Sequence, residues 1–248
     1  DYAAEHTVSI GSFKAFGGSF SDAALAKLRT QDDVIKYVES NKVVRALYTT
    51  QQNATWGLDR IDQATLPLDS LYRYEESAGQ GVDVYVIDTG ILMSHEDFEG
   101  RAITGYDFHN NKEDATDDNG HGTHCASTVG GKMYGVAKKA TLIAVKTLGR
   151  LGAGNLLNVA KGVEFAVNRH LATPGKRSVA SMSLGGGVTQ ALDDAVTEAI
   201  KLGLIVVVAS GNSDADACNT SPARVPTAIT VNAMNIYDSR ASFSNWGS

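Results

Sequence analysis

The chain is poor in the features that define several large protein classes. Its 248 residues include two cysteines, Cys125 and Cys218. That is too few for a disulfide framework. A long apolar run is also missing. The longest, Leu202 to Ala209, covers eight residues, whereas a helix that spans a bilayer needs roughly 20. The sequence therefore gives no reason to expect a membrane partner. Nor is there an excess of positive charge. A net charge of −6 argues against a nucleic-acid partner and suits a soluble protein. Asp1-Tyr2-Ala3-Ala4-Glu5-His6 has neither the basic nor the apolar region of a signal peptide.

What is present is enough apolar material for a sizeable core. A hydrophobic content of 43% is ordinary for a globular domain. The length suits one large domain with a small appendage. Residues 1 to about 45 read as the appendage. His6 to Phe20 is β-rich with a turn expected at Gly17-Gly18. Ser21-Asp22 can cap a helix through Leu28, and Val34 to Glu39 reads as a strand that Val43-Val44-Arg45 extends. Residues 49 to 80 read as polar and irregular, with Trp56-Gly57-Leu58 as an apolar anchor.

From Val82 onward, strands and helices alternate. Val82–Ile87, Ala140–Val145, Ser178–Met182, Leu204–Val208 and Ala228–Val231 read as strands. Leu156, Val159, Ala160, Val163 and Val167 mark one helical face, and Leu192, Ala195, Val196, Ala199 and Ile200 another. Near-continuous apolar strands between amphipathic helices imply an α/β fold, with a mostly parallel central sheet covered by helices on both faces. Chemistry in such sheets gathers at the carboxyl ends of the strands. Asp88, Ser183 to Gly187 and Asn212 all fall at such ends.

His121 lies between two glycines in Asp118-Asn119-Gly120-His121-Gly122-Thr123-His124-Cys125, at the expected start of a helix. The glycines leave its ring reachable and permit a tight turn. Imidazole titrates near neutral pH and can take and return a proton. A carboxylate such as Asp88 can hold that ring in one tautomer. Asn212, after a glycine, can donate its amide to a developing oxyanion, or can act as a helix cap. These are parts of an acyl-transfer site that lacks a nucleophile.

Four ordered stretches then resemble one family. Val86-Ile87-Asp88-Thr89-Gly90, Asn119-Gly120-His121-Gly122-Thr123-His124, Ser183-Leu184-Gly185-Gly186 and Ala209-Ser210-Gly211-Asn212 are similar to the successive signatures of the subtilisin-like serine proteases. Trp56-Gly57-Leu58-Asp59-Arg60-Ile61 and Ala241 to Gly247 resemble the proteinase K branch. The resemblance implies a serine endopeptidase with Asp88 as orienter, His121 as general base and Asn212 as oxyanion donor. It implies that Gly152-Ala153-Gly154 and Ser183-Leu184-Gly185 flank an extended substrate, and that Ala209 and Gly211 line the pocket for the residue before the cut. A secreted or vacuolar monomer acting on protein or peptide substrates is expected. No cofactor is required for the chemistry. A structural calcium ion, on the carbonyls of Pro226 and Ala228, belongs to the same comparison.

The segment before Thr49 resembles the later part of the family's inhibitory propeptide. Residues 1–47 are therefore expected to be a partial propeptide, acting as an intramolecular inhibitor and cut off between Val44 and Thr49. Residues 48–248 are expected to be a partial peptidase domain. The family's nucleophile sits in a Gly-Thr-Ser-Met-Ala type motif that this sequence does not contain. The reading is thus of a partial precursor, with the stretch alone expected to be inactive and poorly folded.

Other readings compete. A truncated, non-catalytic peptide-binding or antigenic relative is the alternative from another class. Asp88-Thr89-Gly90 also suits aspartic proteases, which need a second such triplet that is not there. His121 and His124 read as a zinc pair lack the glutamate and the spacing of His-Glu-x-x-His. Gly149, Gly152 and Gly154 form only a weak nucleotide-loop pattern. Among the remaining groups, His124 is read as structural and Asp114, Asp117 and Asp118 as a solvated acidic loop. Cys125 is read as a buried thiol, and Cys218 pairs, by the resemblance, with a cysteine beyond residue 248; a Cys125–Cys218 bridge is the lesser option.

Overall fold

The computed structural model describes residues 5–42 and 48–247, and the chain divides into two compact units, Asp1–Ala46 and Leu47–Ser248. In the first unit, β1 (His6–Ile10) and β2 (Phe13–Gly17) form an antiparallel hairpin, followed by α1 (Asp22–Leu28). The hairpin turns at Gly11-Ser12 rather than at Gly17-Gly18. Gly11 takes a φ of +57°, which glycine adopts at little cost. Ser21 caps α1, accepting a hydrogen bond from the Ala24 amide at 3.3 Å. Residues 34–39 are not a strand. The Val34 and Ile35 amides donate to the Gln31 carbonyl in a turn, and Val34 and Tyr37 are exposed. The proposed extension at Val43-Val44-Arg45 and most of the expected cleavage junction lie outside the described residues.

The second unit begins with more order than its polar sequence suggests. β3 (Tyr48–Gln52) pairs antiparallel with β4 (Leu71–Glu75), and α2 (Trp56–Ile61) lies between them in sequence. The turn before β4 is held by the buried Asp59, which accepts from the amides of Asp69 at 3.3 Å and Ser70 at 2.5 Å.

The remaining elements are β5 (Val82–Asp88), β6 (Ala102–Asp107), α3 (His121–Gly130), β7 (Thr141–Lys146), α4 (Leu156–Leu171), β8 (Arg177–Met182), β9 (Gly186–Gly187), α5 (Gln190–Lys201), β10 (Ile205–Ala209), β11 (Thr220–Ser221) and β12 (Ile229–Val231). Six of the strands form one sheet in the order β12-β10-β8-β5-β7-β6, every neighbouring pair parallel. Side-chain alternation along these strands feeds two cores. Tyr85, Ile87, Ile143, Val145, Ala180, Met182, Val206 and Val208 pack with buried residues of α4 and α5. Val84, Val86, Leu142 and Ala144 pack with Ala126 of α3 and with Ile91 and Phe98. Helices therefore cover both faces, which is why the strands read as continuous apolar runs. Strand β5 sits between β7 and β8. The loops that leave the carboxyl ends of these three central strands frame a crevice, the usual place for a site in such a sheet. No helix of the described residues is long and apolar enough to cross a membrane.

Candidate active site

Asp88 is the last residue of β5 and is fully buried. Its backbone is held by β7. The Asp88 carbonyl accepts from the amides of Thr147 at 2.9 Å and Leu148 at 3.1 Å. Its carboxylate points at α3. His121 Nδ1 lies 2.7 Å from Asp88 Oδ1 and 2.9 Å from Oδ2, while the His121 side chain stays half exposed. A buried acid against an exposed imidazole favours the tautomer with the proton on Nδ1. The other ring nitrogen is then left for a substrate or a nucleophile. The Thr89 amide donates to Asp88 Oδ1 at 2.6 Å and fixes the carboxylate's rotation.

The pair meets because two turns approach at van der Waals limit. Gly120 takes a φ of +110°, the left-handed region that glycine tolerates, and starts α3. At Gly122 a Cβ atom would stand 2.1 Å from the Gly90 carbonyl oxygen. So Gly122 does more than leave the imidazole accessible: only hydrogen allows the helix start to sit against the Asp88-Thr89-Gly90 turn. The Gly122 amide donates to Thr89 Oγ1 at 2.9 Å across this contact.

His121 opens into a cleft of about 520 Å³. One wall is the loop after β7, including Gly152, Ala153 and Gly154. The other is the loop after β8, including Ser183, Leu184 and Gly185. The Gly149 amide donates to the Ala153 carbonyl at 2.9 Å, which folds the first wall back on itself. The second wall runs into β9, whose Gly186 and Gly187 pair antiparallel with Ser221 and Thr220 of β11. The structure thus brings six of the sequence-selected residues into one crevice with His121. Ala209 ends β10, Gly211 follows it with a φ of +107°, and Asn212 is exposed in the next bend; none of the three lines that crevice. Asn212 is not a helix cap, since the short helix downstream is capped by Asp216, which accepts from the Cys218 amide at 2.8 Å.

Two expectations change. The acids before His121 are not all solvated. Asp114 is exposed, serving its own turn, but Asp117 is half buried and accepts five hydrogen bonds, and Asp118 binds the buried Lys146 at 2.6 Å. Burial pushes the Asp117 carboxyl up, but donation from Thr123, Gly120 and Asn119 outweighs it and leaves it below the usual carboxylate range. Cys125 is only partly buried, with Sγ 3.9 Å from His121 Nδ1. Burial raises its thiol above the ordinary value. Cys125 and Cys218 are not bridged to each other. The donor cluster at His121 is Asp88 and Cys125 rather than His124, so the zinc pair is not assembled among the described residues.

The sequence reading missed Asp117, Lys146 and Asn245. Asn245 is fully buried, and its side chain accepts from the amides of Ser213 at 2.8 Å and Ala215 at 3.2 Å and donates to the Ser210 carbonyl at 2.9 Å. The only signal in the sequence was its place in Ser244-Asn245-Trp246-Gly247.

The parallel α/β sheet thus sets a buried acid against an exposed imidazole at its central crevice, a pair able to take and return a proton. The profile of the Subtilase family matches residues 79–248. The chain is 52% identical over 226 residues to an extracellular serine proteinase of Thermus sp. (strain Rt41A), covering 91% of this chain and 53% of that protein. It is 45% identical over 245 residues to cerevisin of Saccharomyces cerevisiae, covering 95% of this chain and 38% of that protein. A crystal structure of a cold adapted subtilisin-like serine proteinase superposes with a TM-score of 0.75 at 52% identity, over 79% of this chain and 70% of that one. This chain belongs to the subtilase family and has the subtilisin-like fold. It spans about half the length of the curated relatives it matches.

Proposed function

We propose that the protein containing this chain is a serine endopeptidase of proteinase K type, and that residues 88–212 carry its acid, base and oxyanion donor. The observation that carries the reading is the contact of His121 Nδ1 with both Asp88 carboxylate oxygens, at 2.7 and 2.9 Å, on the rim of a peptide-sized cleft. Asp88 orients His121 and stabilises the imidazolium. His121 takes the proton from a nucleophilic hydroxyl and returns it to the leaving amine, and an acyl-enzyme forms and is hydrolysed. The nucleophile is a serine from outside residues 1–248. Asn212 donates to the oxyanion, a contribution of about 3–4 kcal/mol in comparable sites.

Gly152–Gly154 and Ser183–Gly185 accept the substrate backbone as an added strand between them. Ala209 and Gly211 shape the pocket for the residue before the cut. Residues 1–47 act as part of an inhibitory propeptide, and the protein is a monomer that is secreted or vacuolar. The extracellular label of the Thermus relative favours secretion. A structural calcium ion binds at the carbonyls of Pro226 and Ala228 together with a carboxylate from outside residues 1–248 and further oxygens such as water.

The test is fluorophosphonate labelling of the full-length protein. We expect one labelled serine, peptide hydrolysis that His121→Ala slows by about a million-fold, and no labelling or peptide hydrolysis by residues 1–248 alone. Hydrolysis by the isolated chain that a serine-directed phosphonate abolishes would place the nucleophile inside it. A full-length protein that binds peptides but resists the probe would favour a non-catalytic relative.

A further inference from the structure

We propose that Asp117 is a positioning residue: its carboxylate clamps the turn that carries Asp88 to the helix start that carries His121. This rests on the endopeptidase reading for its kinetic consequence, but the clamp is visible in the contacts alone. Asp117 Oδ1 accepts from Thr89 Oγ1 at 2.8 Å and from the amides of Asn119 and Gly120 at 2.9 and 3.0 Å. Oδ2 accepts from the Thr123 amide and hydroxyl at 3.0 and 2.6 Å. Thr89 follows Asp88 directly, and its hydroxyl also accepts from the Gly122 amide at 2.9 Å. The Thr123 hydroxyl accepts in turn from the Leu92 amide at 2.9 Å. One carboxylate therefore joins the residue that follows Asp88 to positions on both sides of His121 while touching neither Asp88 nor His121.

The same turn is held from the other side. Asp118 accepts from Lys146 Nζ at 2.6 Å, and that buried ammonium also donates to the Thr89 carbonyl at 2.7 Å and the Leu148 carbonyl at 3.0 Å. Thr89 is thus fixed by its hydroxyl through Asp117 and by its carbonyl through Lys146. Adjacent acids point apart and grip one residue. Leu148 begins the loop that forms a cleft wall, so this second grip ties the acid–base pair to the substrate wall.

The clamp requires an ionised carboxylate. All five partners of Asp117 are donors, and a carboxylate offers acceptors only. An amide in its place would aim its NH₂ group at the Asn119 and Gly120 N–H groups or, flipped, at the Thr123 N–H, groups that can only donate.

The experiment uses the full-length protein with Asp117→Asn, Thr89→Val, Thr89→Ser and, as a control, the exposed Asp114→Asn. kcat and KM are measured per labelled active site, and the low-field proton resonance of His121 Nδ1–H is followed by NMR. Asp117→Asn and Thr89→Val are expected to lower kcat by about 100-fold, the scale of a 1 Å misplacement, with KM unchanged, and to shift or broaden the resonance. Thr89→Ser restores both readouts, and Asp114→Asn leaves both as in the wild type. Wild-type kcat and resonance in Asp117→Asn, with only a lowered Tm, overturn the proposal. If Asp117→Asn does not fold, Thr89→Val against Thr89→Ser decides it. If the wild type neither hydrolyses peptides nor labels, the endopeptidase reading fails and the resonance alone decides the clamp: its change in Asp117→Asn supports it, and its persistence refutes it.

Discussion

Two polar loops in this protein are each organised by one side chain, and the two side chains differ in kind. The loop of residues 117–123 is built on Asp117, which meets five donors. The loop of residues 210–215 is built on Asn245, which meets the Ser213 and Ala215 amides with its oxygen and the Ser210 carbonyl with its nitrogen. The first loop turns three backbone N–H groups and two hydroxyls toward its organiser, and a carboxylate accepts from all five. The second presents both kinds of group, and a carboxamide matches it. The organising residue is therefore dictated by the hydrogen-bonding demand of the backbone around it. The choice also makes the first loop charge-assisted and sensitive to acid, and the second neutral.

The largest effect that separates the two loops is catalytic. If Asn212 on the second loop donates to the oxyanion, Asn212→Ala in the full-length protein should lower kcat by about 10²–10³-fold with KM little changed. Steady-state kinetics on a peptide substrate give the answer, and an unaltered kcat would remove the second loop from the site. Next in size is the loss of the organiser itself. Asn245→Ala takes one partner from the buried Ser210 carbonyl, which keeps the Thr220 hydroxyl at 3.4 Å, and from the part-buried amides of Ser213 and Ala215, which should cost about 1–3 kcal/mol in total, less where water enters. Denaturant unfolding measures this, and a loss below the low end of that range would mean the loop does not depend on Asn245. The smallest effect is the acid limb. The folded Asp117 carboxyl lies below its ordinary value, so its contribution is complete above about pH 4 and fades as pH falls through the folded pKa. The stability gap between wild type and Asp117→Asn should then be flat near neutrality and narrow below about pH 4. The gap for Asn245→Ala should stay level over the same range. Parallel narrowing of both gaps would erase the distinction between the loops.

Legibility in the sequence followed burial. Strands β5, β7, β8 and β10 were readable because strands covered on both faces become apolar runs. The edge strand β6, Ala-Ile-Thr-Gly-Tyr-Asp, was not seen, since it is partly exposed and carries Gly105 mid-strand. β3 and β4 were missed because Tyr-Thr-Thr-Gln-Gln has no alternation to read; each is defined by its partner. Val34 to Glu39 shows the converse. It has strand-forming residues, yet it forms a turn with Val34 and Tyr37 exposed. β-propensity expresses fit to a pleated neighbour rather than a backbone preference.

By itself the sequence determined the alternation of buried strands and amphipathic helices, and the positions of Asp88 at a strand end and His121 at a helix start. Those follow from local periodicity and turn chemistry, which act over a few residues. Tertiary structure alone decided that Gly122 would pack on Gly90, that Asp117 would bind Thr89 from 28 positions away, and that Asn245 would hold the backbone around Asn212. These contacts join segments distant along the chain. A polar residue in a loop carries no periodic signal to tell whether water or buried donors will surround it, so its partners appear only when the fold closes.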